Sequence, residues 1–256
     1  NGRVFEWVTP LVSNGDTIAQ GTHEAVVLLI PPTKLQMHTF GFDYQVDKYS
    51  KVGAELAQSV NNSNLFSVDP LANKRGHAIR VNANTDHPIF ANKKWNLISG
   101  VEFEYLGDNF RIIQPNRNVE FARDWNVENL YALEQESRVV VDAGLRYGKR
   151  FLLSFNQTQY LIASDYRGVR QGMNVHLNKS GYELHWNANN LKIASGAFNG
   201  TYGRMKGAIS KKIRKVELGG TYELENNLLY APAGDSLLNS SFRFDIAGLY
   251  VKQENQ

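Results

Sequence analysis

Cysteine is absent from the 256 residues, so the chain can form neither a disulfide nor a thiolate metal site. Long apolar runs are missing too. The longest, AVVLLIPP, falls well short of the ~20 residues a membrane-spanning helix needs, so any membrane role would have to be played by strands. There is no excess of one charge: 28 Lys and Arg face 25 Asp and Glu, a formal +3, despite a sequence pI near 8.9. Nucleic-acid binding, which relies on clustered Lys and Arg along one face, is therefore not expected. No Gly-rich phosphate loop, nucleophile elbow or paired-carboxylate signature occurs. The expectation is a non-enzymatic chain without a cofactor. The first residue is Asn1 and no apolar leader follows it, so the chain is expected to be processed or excised from a longer protein.

Period-two alternation fills the space left by these absences, and helical periodicity is scarce. In KLQMHTFGFDYQVD, residues Phe40, Phe42, Tyr44 and Val46 share one face, with Asp43 and Gln45 on the other. The pattern resumes after DKYS with Val52, Ala54, Leu56 and Val60, which predicts a hairpin. HAIRVNANT and KKWNLISGVEFEYLG read as two further half-buried strands. LEQESRVVVDAGLRYG places Leu133, Val139, Val141, Ala143, Leu145 and Tyr147 on one side. Six more alternating segments follow, separated by turn chemistry such as YGKR, NKSG and FNG. Three polar connections interrupt them: residues 61–76, the stretch from Asn109 to Asn129, and LLYAPAGDSLLNS with Pro232 and Gly234.

The predicted fold is all-β, an antiparallel up-and-down meander of about twelve strands with typical strand lengths. It forms one domain over residues 1–256, with irregular hairpins and long loops in 1–130 and a regular meander in 131–256. Such a meander can close as an outer-membrane barrel with a polar lumen, or cover a soluble core as a sandwich or one-sided sheet. Strands of about ten residues suit the membrane solution. Gln157, Gln159 and Lys211 oppose it, because they fall on otherwise apolar stripes, and a mean hydropathy of −0.40 decides nothing.

The first half also carries a resemblance. It rests on Glu55, Ala57 and Ser59 at a strand end, then Asn62, Asn64, Phe66 and Ser67 in a polar loop. Gly76 and Ala78 follow at a strand start, and finally Arg117, Glu120, Phe121, Arg123, Asp124, Trp125 and Asn126. This order over residues 1–126 resembles large, mostly uncharacterised β-rich envelope proteins of Bacteroidetes, which share the ending E-F-x-R-D-W-N. The loop departs from their pattern in having Asn62 and Asn64 at its acidic positions, which argues against a calcium loop. The resemblance implies a place in or on a Gram-negative outer membrane, and no known reaction.

NFRIIQPNRNVEFARDWN, residues 109–126, is the densest candidate site. Arg117, Glu120, Arg123 and Asp124 could hold an anionic ligand through guanidinium forks. Their balanced signs equally suit a structural corner in which they pair with one another while Phe121 and Trp125 anchor the turn. His176 and His185 lie on strands expected to be adjacent, but no third metal ligand declares itself, so no metal is expected. Lys211, Lys212, Arg214 and Lys215 read as solvated charge at a strand end. Trp186, with Tyr182, is a platform on which a sugar could stack. The leading expectation is a cell-envelope barrel with a structural or transport role, in contact with outer-membrane lipid or lipopolysaccharide and with other envelope proteins. A soluble surface domain that binds glycan or protein is the alternative, and a glycan-acting enzyme the third.

Overall fold

The computed structural model describes residues 6–13, 15–23, 30–68, 73–90, 94–114, 117–128, 134–163, 165–232 and 236–253. Leu133 and Gly234, both placed by sequence reading, lie outside them. A short hairpin, β1 (Leu11–Ser13) with β2 (Asp16–Ile18), precedes the main sheet. That sheet is an open antiparallel meander of eleven strands, each paired with its sequence neighbours. The strands are β3 (Lys34–Gln45), β4 (Ser50–Asn62), β5 (Asn73–Pro88), β6 (Trp95–Leu106), β7 (Glu136–Tyr147) and β8 (Phe151–Ile162). They continue as β9 (Tyr166–Lys179), β10 (Tyr182–Ser195), β11 (Asn199–Ile213), β12 (Val216–Tyr230) and β13 (Phe242–Gln253). Both halves of the chain thus share one sheet. The polar connection expected at 61–76 is shorter than predicted, because β4 runs to Asn62 and β5 begins at Asn73. Lys74 and Arg75 lie within β5, on opposite faces of the sheet, and both are exposed.

The hairpins are set by local chemistry. Ser180 and Gly181 both have positive φ, 53° and 77°. This two-residue loop has the backbone twist that matches antiparallel strands, and it locks Lys179 opposite Tyr182. At the β3–β4 turn the Asp47 carboxylate accepts N–H groups from Tyr49 (2.6 Å) and Ser50 (2.8 Å).

Partners across an antiparallel ladder point to the same face, so the registers assign every side chain to one of two surfaces. One row runs Tyr44, Val52, Ala83, Val101, Val141, Gln157, Gln171, Asn190, Gly203, Asn226 and Arg243. It is apolar through β7 and polar from β8 onward. A parallel row nearer the tight turns is apolar throughout: Trp95, Tyr147, Phe151, Leu177, Leu184, Ile209, Gly220 and Leu249. The apolar zone therefore crosses the sheet as a diagonal band, centred on Phe42 in β3 and on Leu249 in β13.

On the opposite face the pattern is reversed. Below the band's upper limit this face carries Asn82, Glu102, Asp142, Asn156, Asn174, Asn187 and Lys206. Above it, on β8–β12, lies the buried core: Tyr160, Ile162, Tyr166, Leu191, Ile193, Tyr202 and Leu229, completed by Trp125 and Val127 from the long connection. Gln157, Gln159 and Lys192 occupy the outer face at the level where this core begins. On β8–β12 the sheet thus exchanges its apolar side partway along the strand. Leu191 is 0% exposed and Val68, in the β4–β5 connection, 101% exposed. Leu191→Ala should lower the unfolding free energy by about 2–5 kcal/mol and Val68→Ala by under ~0.5 kcal/mol, read as shifts of a urea midpoint followed by circular dichroism.

Candidate functional site

The connection between β6 and β7 folds back onto the core-bearing face. It leaves β6 through a turn in which the Gly107 N–H donates to His77 O (2.9 Å) and the Phe110 N–H to Gly107 O (2.9 Å). The Arg111 N–H then donates to the hydroxyl of fully buried Ser59 (2.9 Å). Gly76 makes this crossing feasible: a Cβ there would lie 2.1 Å from the Phe110 nitrogen. Between this segment and the same face of β3–β6 runs a groove of about 200 Å3, bordered by Glu55, Arg80, Glu104, Phe110 and Ile112.

Farther along, Asn118 accepts the Glu120 N–H on its side chain (2.9 Å) and opens a single helical turn, α1 (Phe121–Asp124). Asn126 closes it at φ 52°. Its N–H donates to Arg123 O (3.0 Å) and that of Val127 to Ala122 O (2.9 Å), the paired bonds of a Schellman cap, where Asn is the second choice after Gly. The RDWN sequence is the local code for that stop. Trp125 is thereby driven into the core against Tyr160 (5.3 Å between ring centroids) and over Gly168, whose missing Cβ would meet the indole at 2.9 Å. The Tyr166 hydroxyl donates to the Trp125 carbonyl (2.5 Å), and Asn126 exchanges two hydrogen bonds with Asn227 (3.1 and 2.9 Å).

Two charge chains flank this anchor. In the first, Arg80 pairs with Glu102 (2.5 Å), which also pairs with Arg138 (2.6 Å); Arg138 lies 3.5 Å from Glu104. Arg117 joins Glu104 (2.9 Å) to Glu136 (2.8 Å), which accepts the Tyr160 hydroxyl (2.7 Å). The Arg117 guanidinium lies over Phe121, 4.5 Å from its centroid. In the second, Arg123 contacts Glu120 (2.6 Å) and Asp124 (3.3 Å), and Asp124 faces Arg170 (3.9 Å) and the Tyr202 hydroxyl (3.5 Å). Tyr202 donates to Glu225 (3.0 Å), which pairs with Arg204 (3.4 Å); Arg204 and Lys206 share Glu223 (3.1 and 2.9 Å).

The structure therefore brings Arg117, Glu120, Arg123, Asp124 and Trp125 together, with each charge engaged by an opposite one. Trp186 is elsewhere, on the outer face within the apolar band, resting on Gly207. Lys211 sits at the edge of that band: its ammonium donates to Ser180 O in the neighbouring turn (2.9 Å) and lies 3.5 Å from the Tyr182 ring centroid. His176 and His185 are direct cross-strand partners, and Glu183 brings a carboxylate within 4.8 Å of both, a third candidate donor that the sequence alone did not single out. Its signal was the i, i+2 spacing of Glu183 and His185, which puts both on one strand face. No protein family, curated protein or solved structure matches the chain.

Removing Arg117 would leave Glu104, whose side chain is 9% exposed, with only the 3.5 Å contact to Arg138. Arg117→Met should cost about 2–4 kcal/mol, and Trp125→Ala about 3–5 kcal/mol, measured by denaturant unfolding. In both variants, limited proteolysis should cut first within residues 107–128.

Proposed function

We propose that this sheet is wall of an outer-membrane-type β-barrel, with a polar lumen narrowed by the inward-folded 107–128 segment, and that its role is structural or translocative rather than catalytic. The observation that carries this reading is the exchange of the apolar face along a diagonal boundary. A soluble one-sided sheet keeps its apolar face on one side for the full strand length. A barrel wall that projects from a bilayer must be apolar outside within the lipid, and can bury an apolar core inside where it stands in water.

The slope of the boundary supports it. From the row of Phe42 to that of Leu249 the band descends eight residues, Leu228 to Gly220 on β12, across the ten strand steps from β3 to β13. At ~3.3 Å per residue and ~4.8 Å per strand this is a tilt of roughly 30°, near the roughly 35–45° of membrane barrel strands. Along this slope Lys192 falls outside the lipid zone, Gln159 and Lys211 (with Tyr182) reach its two limits, and Gln157, two residues from the band's centre at Phe155, stays within it. Trp95, Tyr147 and Phe151 cluster near the same limit, with centroids 5.1 and 5.9 Å from Trp95, as an interfacial aromatic girdle would. No helix among the described residues is long and apolar enough to cross a membrane, so crossing would be by strands.

The open edges fit a section of a larger ring. β3 and β13, separated by ten antiparallel steps, run in the same direction, so an all-antiparallel ring needs an odd number of further strands between them. β13 is apolar on both sides, with Phe242, Phe244 and Ile246 inward and Ala247, Leu249 and Val251 outward. The envelope resemblance of the first half points to the same location.

The cysteine-free sequence allows a direct test. Single substitutions Ala188→Cys (outer, in the band), Lys192→Cys (outer, above it) and Asn187→Cys (inner) are made in the chain reconstituted with phospholipid. A water-soluble maleimide should label Lys192→Cys and Asn187→Cys and spare Ala188→Cys, which a lipid-soluble reagent should reach. Equal aqueous labelling of Ala188→Cys and Lys192→Cys, or a chain that stays dispersed without detergent or lipid, would overturn the reading.

A further inference from the structure

On the polar face, away from the inward segment, the β9–β10 hairpin holds a group of side chains not used by the charge chains. His176 and His185 are opposite one another and their rings stack, with centroids 4.4 Å apart and planes 16° apart. Glu183 lies two residues before His185 on the same strand face. Its Oε1 is 2.8 Å from His185 Nε2 and 3.7 Å from His176 Nε2. One ligand atom from each of the three residues falls within 4.8 Å of the others. His176 Nε2 is closed off from solvent and has no hydrogen-bond partner.

A stacked imidazole pair whose nitrogens converge on one carboxylate is poorly satisfied by hydrogen bonds alone. The carboxylate takes a short bond from His185 and leaves the His176 nitrogen, an atom closed off from water, without one. A cation among the three atoms satisfies all of them. Bonds of ~2.0–2.1 Å in tetrahedral geometry require ligand atoms roughly 3.3 Å apart, and the observed 2.8 and 3.7 Å bracket that value. The rings must turn out of their stack for both nitrogens to face one ion, while the hairpin fixes the backbone through the Ser180–Gly181 turn.

We propose that His176, Glu183 and His185 form a three-ligand site for a divalent transition-metal ion on the polar wall of the sheet. The donor set decides the class. Two imidazoles and one carboxylate suit zinc, nickel or copper(II), whereas calcium and magnesium want oxygen ligands and copper(I) wants sulfur. Three protein ligands leave a coordination position for water or a small anion. That position opens toward Asn174 and Asn187, which are hydrogen-bonded to each other in the next row. The site does not depend on the barrel reading, since the hairpin geometry is the same in a soluble sheet.

Zinc is the probe. Titration calorimetry of zinc chloride into the purified 256-residue chain should show one saturable site of micromolar affinity. His176→Ala and His185→Ala should each weaken it by at least about tenfold, and Glu183→Gln should weaken it measurably. His38→Ala and His77→Ala should leave it unchanged, and millimolar magnesium or calcium should not compete. Strand content by circular dichroism is checked for each variant, and His185→Gln replaces any alanine variant that fails to fold. The site is refuted if the parent shows no saturable zinc binding, if folded His176 and His185 variants bind zinc like the parent, or if calcium displaces it.

Discussion

An antiparallel ladder eleven strands wide fixes two faces and leaves two edges, and every other feature of this chain disposes of one or the other. The period of two is strict: a one-residue slip in any register would move that strand's apolar set to the wrong side. Here the constraint is stricter than in an ordinary sheet, because which side is wrong changes along the strand. Below the diagonal, Trp186 and Ala188 must point outward. Above it, Leu191 and Ile193 must point inward, on the same uninterrupted β10. Strict alternation makes this change possible without a bulge, provided the residue types swap phase, and at Asn189–Asn190 two polar residues in succession effect the swap.

The inward segment is what makes the upper zone stable. Without it, Tyr160, Tyr166, Leu191, Tyr202 and Leu229 would face water on one side of the sheet. Trp125 and Val127, 3% and 2% exposed, close that surface. Placing the segment also brings Arg117 beside Glu104 and Glu136, two carboxylates that would otherwise repel each other across adjacent strands. The aromatic anchor and the ion pairs thus depend on one another: hydrophobic burial supplies most of the free energy, and the charges fix where along the wall the segment docks. Gly76 and Gly168 are its two points of closest approach, and a side chain at either would displace the backbone or indole above it.

Most of the strand framework could be read directly from the sequence, because alternation and turn chemistry are local. Phe40 to Tyr44, Val139 to Tyr147 and the NKSG turn are plain in one dimension. The pairing of Arg123 with Glu120 and Asp124 could be anticipated from their balance, and the two aromatics from their spacing, whereas Arg117 finds its partners, Glu104 and Glu136, on β6 and β7. Other features needed the register. Gln159 and Lys211 look like defects when strands are compared end to end, but along the tilted band they fall at its two limits, whereas Gln157 remains a polar interruption near its centre. Nothing in the local sequence of β8 says how far it is staggered from β7. The full ligand group at His176 was hidden for a similar reason. The pairing of His176 with His185 is non-local, and Glu183 reads as one of many polar residues on a wet face until that pairing is known.

The charge on the inner wall follows from the same geometry. In a one-sided soluble sheet the polar face meets bulk water, and exposed ion pairs add little. On this face Glu104 and Glu225 are 7% and 4% exposed, although no second sheet among the described residues covers them. What covers them is the segment itself and the long Arg side chains of neighbouring strands, so each carboxylate is desolvated by the groups that neutralise it. Alternating signs, Arg80–Glu102–Arg138–Glu104–Arg117–Glu136, let such a chain extend without net charge. In the barrel proposed above, a passage bordered by such a chain would present a strong transverse field and almost no net potential. The near-neutral composition that excluded a polybasic surface at the outset is what such a wall requires.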